Sequence, residues 1–349
     1  MSINNLQKRK LLLIGSTSNP VHIKNFYNLV KDYFDEVLIV GTHTVDFCES
    51  IAVDFSIKNP INVYKSIKVL RKIMTDFSPS IIHVHQANSV GFISSLANKK
   101  KFPLVLTTWG DDVLILPNKN FIYKKLTTTS LKYADAVTAD ADIMRKAIHS
   151  FYGKIDVTIA NFGIEIQSIE SIDKENVIYS NRLHDDLYNI DKIVVGVGDF
   201  LKVQPEWKLI IAAIGKNTEK LKSMVEEMGL QNQIEFVGFL KPEDNKRNYL
   251  KSKIYISIPN TDGTSISLLE AMAYGCIPIV SDLPANKEWI TDTQNGIVLR
   301  NWDVSEAFQR VFDLDFEQAI NINHEIIDQR ATKKANRDKF VAIYDKFSG

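Results

Sequence analysis

The chain has 349 residues, enough for two domains of ordinary size, each with its own core. Forty-two basic side chains balance forty-two acidic ones, so there is no overall field to draw in nucleic acid. Apolar residues make up 45% and charged residues 24%, ordinary globular usage.

In chain order, Lys8, Arg9 and Lys10 precede an apolar run that stops at Gly15, too short for a signal-peptide core or a bilayer span. No later segment is longer and as apolar, so the expectation is a cytoplasmic protein that at most touches the inner face of a membrane. Cys48 and Cys276 lie in unrelated contexts without metal-ligand spacing, which fits free buried thiols in a reduced compartment.

Short apolar runs then alternate with helix-period segments, the pattern of strand-helix-strand units and a parallel sheet. The first series of strands is expected at Lys10–Gly15, Glu36–Gly41, Ser80–His85, Phe102–Thr108 and Asp135–Asp140. Between the first two, Ile23, Phe26, Tyr27 and Val30 recur at helical spacing. The alternation restarts with Asn176–Arg182, Trp207–Gly215, Ile234–Phe239, Ile254–Pro259 and Cys276–Ser281. Two such series predict an α/β protein of two Rossmann-like domains, residues 1–164 and 165–330. Ile159–Val177, polar after its Asn-Phe-Gly turn, is the expected linker, and residues 331–349 form a final helix without a following strand.

The most informative stretch is Asn260–Val280, "NTDGTSISLLEAMAYGCIPIV". It leaves the carboxyl end of an expected strand, where open parallel sheets bind ligands. Thr264 or Ser265 suits the N-cap of the following helix, and Gly263, Thr264 and Ser265 are small enough to let a ligand reach backbone amides. Such a helix start suits phosphate. Glu270 falls in the second turn, and its side chain leans back toward the loop. A carboxylate there suits ribose hydroxyls, and Asp262, before the helix, suits a sugar beyond the phosphates. A turn-forming Asp262 and a solvated Glu270 are the plain alternative.

The segment from Asp262 through "LLEAMAYGCIPIVSDLPANKEWI" resembles the retaining "group 1" (family 4) glycosyltransferases of the GT-B fold, whose hallmark is Glu, seven residues and Glu before Ala-Met-Ala-x-Gly-x-Pro-Val-Val. "IANFGIEI", "SNR" and "MGLQNQIEFVGFL" extend the likeness over nearly the whole chain. The resemblance implies sugar transfer from a nucleoside diphosphate sugar to a hydroxyl acceptor, a saccharide or lipid-linked saccharide, in surface polysaccharide or glycoconjugate synthesis. It implies no essential metal or cofactor, and no nucleic-acid partner. The donor would bind mostly in the second domain, with its parallel sheet facing that of the first across a cleft, and the last helix would cross back to the first domain. Glu270 would hold the donor ribose, Asp262 the transferred sugar, Arg182 the diphosphate, the amides of Thr264, Ser265, Ile266, Ser267, Leu268 and Leu269 phosphate and sugar, and Gly238 and Phe239 the base side. Two departures stand out. Asp262 replaces the usual first Glu, shortening the reach by a methylene. After Arg182 the family usually has Lys about five residues on, whereas Leu187 and Tyr188 stand here, so the diphosphate loses an expected cation unless Lys192 or another residue supplies it.

In the first domain "TTWGDD" resembles a WGSD variant of the family, with Asp111 for Ser. Asp112 would orient the acceptor or donor, or cap the next helix; Trp109 and Gly110 flank it, and Trp109 is a sugar-stacking face or a core indole. Gly15 and Ser16 follow the first strand without G-x-G-x-x-G, which argues against a dinucleotide-binding dehydrogenase; they and His22 would meet the acceptor or diphosphate. His83 and His85 share a strand face and suit the core or a cleft lining better than metal, since no third ligand lies near. Asp140-Ala141-Asp142 looks like the Asp-x-Asp of metal-dependent transferases, but Asp140 falls where a strand ends and a helix begins, so capping is the favoured expectation. The lysine-aromatic runs at Asn98–Phe102 and Lys119–Lys125 suit either a solvated face or an anionic membrane surface. Two other readings use the same donor residues: a GT-B-fold sugar-nucleotide epimerase, and a non-catalytic partner subunit.

Overall fold

The computed structural model describes residues 8–153, 155–166 and 172–347. The start of the basic N-terminus, residues 1–7, and the middle of the expected linker, residues 167–171, lie outside the described residues. The chain divides into two compact units, residues 1–163 with 333–349, and residues 164–332.

The first unit is built on seven parallel strands: β1 (Lys10–Gly15), β2 (Glu36–Gly41), β3 (Ser50–Ala52), β4 (Ile81–His85), β5 (Leu104–Thr107), β6 (Ala136–Ala139) and β7 (Val157–Ile159). Their order is β3-β2-β1-β4-β5-β6-β7, so the winding reverses between β1 and β4. Helices α1 (Val21–Val30), α2 (Pro60–Phe77), α3 (Ser89–Asn98), α4 (Leu116–Lys119), α5 (Phe121–Tyr133) and α6 (Asp142–Phe151) supply the crossovers. The strands read as continuous apolar runs because both faces are covered. Leu12, Ile14, Ile82 and Val84 face a core shared with Leu70 of α2, Ile93 of α3, Leu131 of α5 and Ile148 of α6. Leu11, Leu13 and Ile39 face the other way, onto Ile23 and Phe26 of α1.

The second unit repeats the logic. β8 (Glu175–Ser180), β9 (Lys208–Ala212), β10 (Ile234–Gly238), β11 (Ser252–Ser257), β12 (Ile277–Val280) and β13 (Ile297–Val298) are parallel in the order β10-β9-β8-β11-β12-β13, reversing between β8 and β11. Helices α7 (Ile190–Val203), α8 (Thr218–Glu227), α9 (Pro242–Lys251), α10 (Ile266–Ala273), α11 (Pro284–Lys287), α12 (Val304–Val311) and α13 (Phe316–Arg330) cover it. The edge strands β3, β7 and β13 were not legible as apolar runs; they are two or three residues long, below the length at which a pattern emerges.

The last helix, α14 (Lys333–Asp345), belongs to the first unit. Phe340 and Tyr344 pack on its apolar core beside Phe26. The buried Tyr344 hydroxyl lies 2.7 Å from His83 Nδ1, whose other nitrogen, Nε2, lies 2.7 Å from Thr107 Oγ1. Thr107 in turn meets Thr138 at 2.7 Å. His83 is therefore a satisfied core histidine, and burial, with the ring of His85 beside it, holds its pKa well below the ordinary value. Cys276 is buried as expected, but Cys48 is only half-buried, donating to the Val37 carbonyl at 3.4 Å; both are free thiols.

Tyr344→Phe should lower stability by about 1–2 kcal/mol in urea unfolding, because it strips a buried histidine nitrogen of its partner. His83 and His85 have folded-state pKa values below their unfolded ones, so the stability they permit is complete above about pH 6.5 and declines as pH falls, with the unfolded chain taking up the protons first. The urea midpoint of the wild type should therefore fall more steeply between neutral and mildly acid pH than that of His83→Gln.

Candidate functional site

In the second unit the carboxyl ends of β8 and β11 flank the point where the winding reverses, the place where neighbouring loops diverge and leave a crevice. β8 ends at Ser180 and carries Asn181 and Arg182 beyond it; β11 ends at Ser257 and leads through Pro259–Thr264 into α10. Ser265 is the N-cap, its hydroxyl accepting from the Leu268 amide at 3.4 Å. Asp262 turns its own loop, Oδ1 accepting from the Gly263 amide at 3.0 Å. Its other oxygen is 2.7 Å from Arg182 Nη2, while Arg182 Nη1 donates to Ser265 Oγ at 2.5 Å. The guanidinium also lies 4.5 Å from the centre of the Tyr188 ring. Two loops about eighty residues apart in sequence thus meet on one cation.

Glu270, in the second turn of α10, is half-buried, and burial raises its carboxyl pKa against the opposing pull of a hydrogen bond from Tyr249. It lines a cavity of about 260 Å³ with Leu240, Pro242, Asn245, Lys246, Tyr249 and Tyr274. A polar network supports the floor. Tyr255 donates to Asn181 Oδ1 at 3.0 Å, and Asn181 Nδ2 donates to Tyr249 at 2.7 Å and to Asn245 at 3.0 Å. The expected donor-side residues divide accordingly. Gly263 has open space over it, and the amides of Ile266 and Ser267, at the first two helical positions, have no carbonyl partner within the helix. Thr264 sits in the loop just before the cap. Gly238 takes a left-handed backbone (φ 68°) at the end of β10 and leaves Phe239 65% exposed.

Several expectations are corrected. Leu268 and Leu269 point into the core, and their amides bond Ser265 in the first turn, so neither offers a donor. Lys192 does not stand in for the missing lysine; its Nζ sits 4.3 Å over the Trp302 ring. The cavity beside Glu270 holds a different cation, Lys246, and neither it nor Tyr249 was singled out from sequence, because nothing local distinguishes a helix residue that faces a cavity.

In the first unit the corresponding crevice lies beyond β1, β2 and β4. A cavity of about 640 Å³ is lined there by Ser16, Thr42, His43, Asp54, Ser56, Gln86, Asn88 and Ser89 among others. Of the residues expected here, only Ser16 lines it. Gly15 packs closely instead: a Cβ there would fall 2.4 Å from Ile23 Cδ1 of α1, whose side-chain tip would have to turn aside. His22 and Trp109 meet each other, with ring centroids 4.7 Å apart, and line a smaller cavity of about 180 Å³ with Asp140 and Phe162. Trp109 also donates its indole N–H to His85 Nδ1 at 3.0 Å, so it is an anchored, half-buried ring.

Asp112 is not presented to a ligand. Its carboxylate is buried and accepts from the Ala87 amide at 2.6 Å and the Trp109 amide at 2.9 Å, tying the loop after β4 to the loop after β5. Burial pushes its pKa up to about 6. Gly110 (φ 102°) makes the reversal that brings Asp112 back beneath Trp109, and Asp111 is left exposed. At the start of α6, Ala141 holds the cap position and Asp142, the first helical residue, pairs with Arg145 and Lys146. Among the described residues no group of three or more His, Cys, Asp or Glu side chains gathers as a metal-ligand set.

Residues 161–314 match the family Glycosyl transferases group 1, and residues 10–141 match Glycosyl transferase 4-like. The chain is 23% identical over 271 residues to the alpha-monoglucosyldiacylglycerol synthase of Streptococcus pneumoniae, spanning 69% of this chain and 60% of that protein. It is 23% identical over 290 residues to a GDP-mannose:cellobiosyl-diphosphopolyprenol alpha-mannosyltransferase of Xanthomonas campestris, spanning 77% of this chain and 71% of the relative. Among solved structures, Anabaena HepE in complex with UDP superposes with a TM-score of 0.75 at 13% identity, covering 97% of this chain and all of that one. The galactosyltransferase WaaB of the lipopolysaccharide outer core superposes at 0.73 with 15% identity, covering 97% of this chain and 99% of that one. These likenesses establish the GT-B fold.

Asp112→Asn replaces a double acceptor with one acceptor and one donor and so breaks one of the two loop ties. It should cost about 1–3 kcal/mol in urea unfolding.

Proposed function

The chain belongs to the group 1, family 4-like glycosyltransferases, and from that premise we propose that it transfers a sugar from a nucleoside diphosphate donor to a hydroxyl acceptor with retention at the anomeric carbon. The observation that carries the reading is the convergence of Arg182, Asp262 and the open first turn of α10 beside the cavity that holds Glu270.

In this reading the ribose hydroxyls donate to the Glu270 carboxylate, and the base lies toward Phe239 and Leu240. The diphosphate takes the Ile266 and Ser267 amides and the Arg182 guanidinium, whose planar fork suits phosphate oxygens. Asp262 then faces the sugar. Before the donor arrives, Asp262 and Ser265 hold Arg182; a phosphate competes with Asp262 for the guanidinium and releases that carboxylate toward the sugar hydroxyls. As the C1–O bond to the leaving phosphate breaks, negative charge grows on the diphosphate, where the cation and the helix start stabilise it. The acceptor oxygen bonds C1 on the same face, and its proton passes to a leaving phosphate oxygen. No resident metal is part of this scheme.

The acceptor is read as a saccharide or lipid-linked saccharide, in surface polysaccharide or glycoconjugate synthesis, with the protein peripheral at the inner face of a membrane. The relatives' names support this, since one is a diacylglycerol glycolipid synthase and another acts on a diphosphopolyprenol. No helix among the described residues is long and apolar enough to cross a membrane.

UDP or GDP should raise the melting temperature of the native protein, and Glu270→Ala should weaken that nucleotide roughly ten- to hundredfold, the loss of charge-assisted hydrogen bonds. An equal response from the variant sinks the donor-site assignment. Asp262→Asn should leave nucleotide affinity intact or improved, because Arg182 loses its competitor, while turnover falls on the order of a hundredfold. Turnover should survive EDTA. Conversion of the donor without any acceptor would instead support an epimerase, and full pathway function in Asp262→Asn a non-catalytic subunit.

A further inference from the structure

The chain as a whole carries no net formal charge, yet between Lys58 and Tyr133 it holds twelve basic side chains against three acidic ones. The asymmetry is not dispersed by folding. This segment supplies α2, α3 and α5, the neighbouring helices that cover one face of the first unit's sheet. All twelve cations, Lys58, Lys65, Lys68, Arg71, Lys72, Lys99, Lys100, Lys101, Lys119, Lys124, Lys125 and Lys132, are exposed. Among the described residues only Lys72 has an ion-pair partner, Asp76. Of the three acids, Asp112 is buried inside.

Large apolar side chains stand among these cations. At the start of α5, Phe121 is 78% exposed and Ile122 61%, next to Lys119, Lys124 and Lys125. At the start of α2, Ile61 is 63% exposed and Tyr64 59%, next to Lys65 and Lys68. Both helices begin at the carboxyl edge of the sheet, because each follows a strand and runs back to start the next parallel one. A solvated helix face needs none of these four side chains in water, and a binding site for a soluble polyanion needs only the cations. Cations surrounding exposed aromatic and branched apolar tips match a bilayer: the lysines meet anionic headgroups, and the apolar tips enter the interfacial layer.

We infer that the outer face of α2 and α5 docks the protein on an anionic lipid bilayer, with Phe121, Ile122, Ile61 and Tyr64 entering the headgroup layer. This face lies alongside the 640 Å³ cavity at the same sheet edge, whose walls include Asp54 and Ser56 just before α2 and Asn88 and Ser89 at the start of α3. If the acceptor is lipid-linked, as proposed above, docking brings its headgroup to that cavity without the lipid leaving the membrane; this last step rests on that reading, and the docking itself does not.

The test is flotation of the full chain with vesicles of phosphatidylcholine alone or of phosphatidylcholine with phosphatidylglycerol. Binding is expected only to the anionic vesicles, and it should weaken with added salt. Lys119→Glu with Lys124→Glu and Lys125→Glu should reduce it roughly tenfold or more, and Phe121→Ser with Ile122→Ser should also reduce it, while the matched changes Lys202→Glu, Lys208→Glu and Lys222→Glu in the second unit leave it unchanged. The nucleotide-induced melting shift, measured on every variant, reports a retained fold and donor site, so a failure of docking is separable from a failure of the transferase reading. Equal binding to both vesicle types, or indifference to the α5 lysine changes, overturns the inference. So does a loss with the lysine changes but none with the Phe121 and Ile122 changes, which marks a site for a soluble polyanion.

Discussion

Parallel pairing dictates where this protein can hold a ligand. Each strand must be followed by a crossover, so all loops leaving strand ends gather on one edge of the sheet, and a crevice opens only where successive crossovers diverge. That happens once in each unit, between β1 and β4 and between β8 and β11. The second crevice holds Arg182, Asp262 and the start of α10; the first opens beside a cavity of about 640 Å³. The chemistry follows from the winding, since residues eighty positions apart become neighbours only when their strands lie side by side.

Polar groups inside the sheets hold these loops in place. The Tyr344–His83–Thr107–Thr138 chain joins α14, β4, β5 and β6, so the C-terminal helix is fastened by a hydrogen-bonded core residue as well as by apolar packing. Asp112 holds two loops through backbone amides. Under the floor of the cavity beside Glu270, the tyrosines of β8, α9 and β11 share Asn181 and Asn245, and burial pushes all three phenols up and keeps them neutral. Such networks are rigid when every member is satisfied, which suits the proposed role of Glu270 and Arg182 as a fixed donor site.

Arg182 shows how a departure from the expected pattern is accommodated. Where a lysine is usual, Tyr188 offers a ring face to the guanidinium at 4.5 Å and so orients the single remaining cation of that loop. The aromatic contact does not replace a positive charge toward phosphate. Lys246, on α9, borders the cavity that Glu270 lines, which Arg182 itself does not reach.

Much of this was legible in the chain. Long strands such as β1, β2 and β8 are apolar on both faces and declare themselves as runs, and the loop-helix unit from Asp262 to Glu270 declares its N-cap, its small residues and its second-turn carboxylate, because these are local preferences of backbone and side chain. Local pattern could not say that Leu268 and Leu269 face inward, that Gly15 packs closely on Ile23, that Asp112 bonds amides, or that Lys192 rests on Trp302. Nor could it say that every lysine and arginine from position 58 to 132 is left exposed. Sequence by itself determined the elements, the two parallel series and the residue types at the strand ends, since these depend on near neighbours. The partner of each side chain was decided only by tertiary structure, because a contact depends on which strands and helices lie beside each other in space, and that distance is not written in the spacing along the chain.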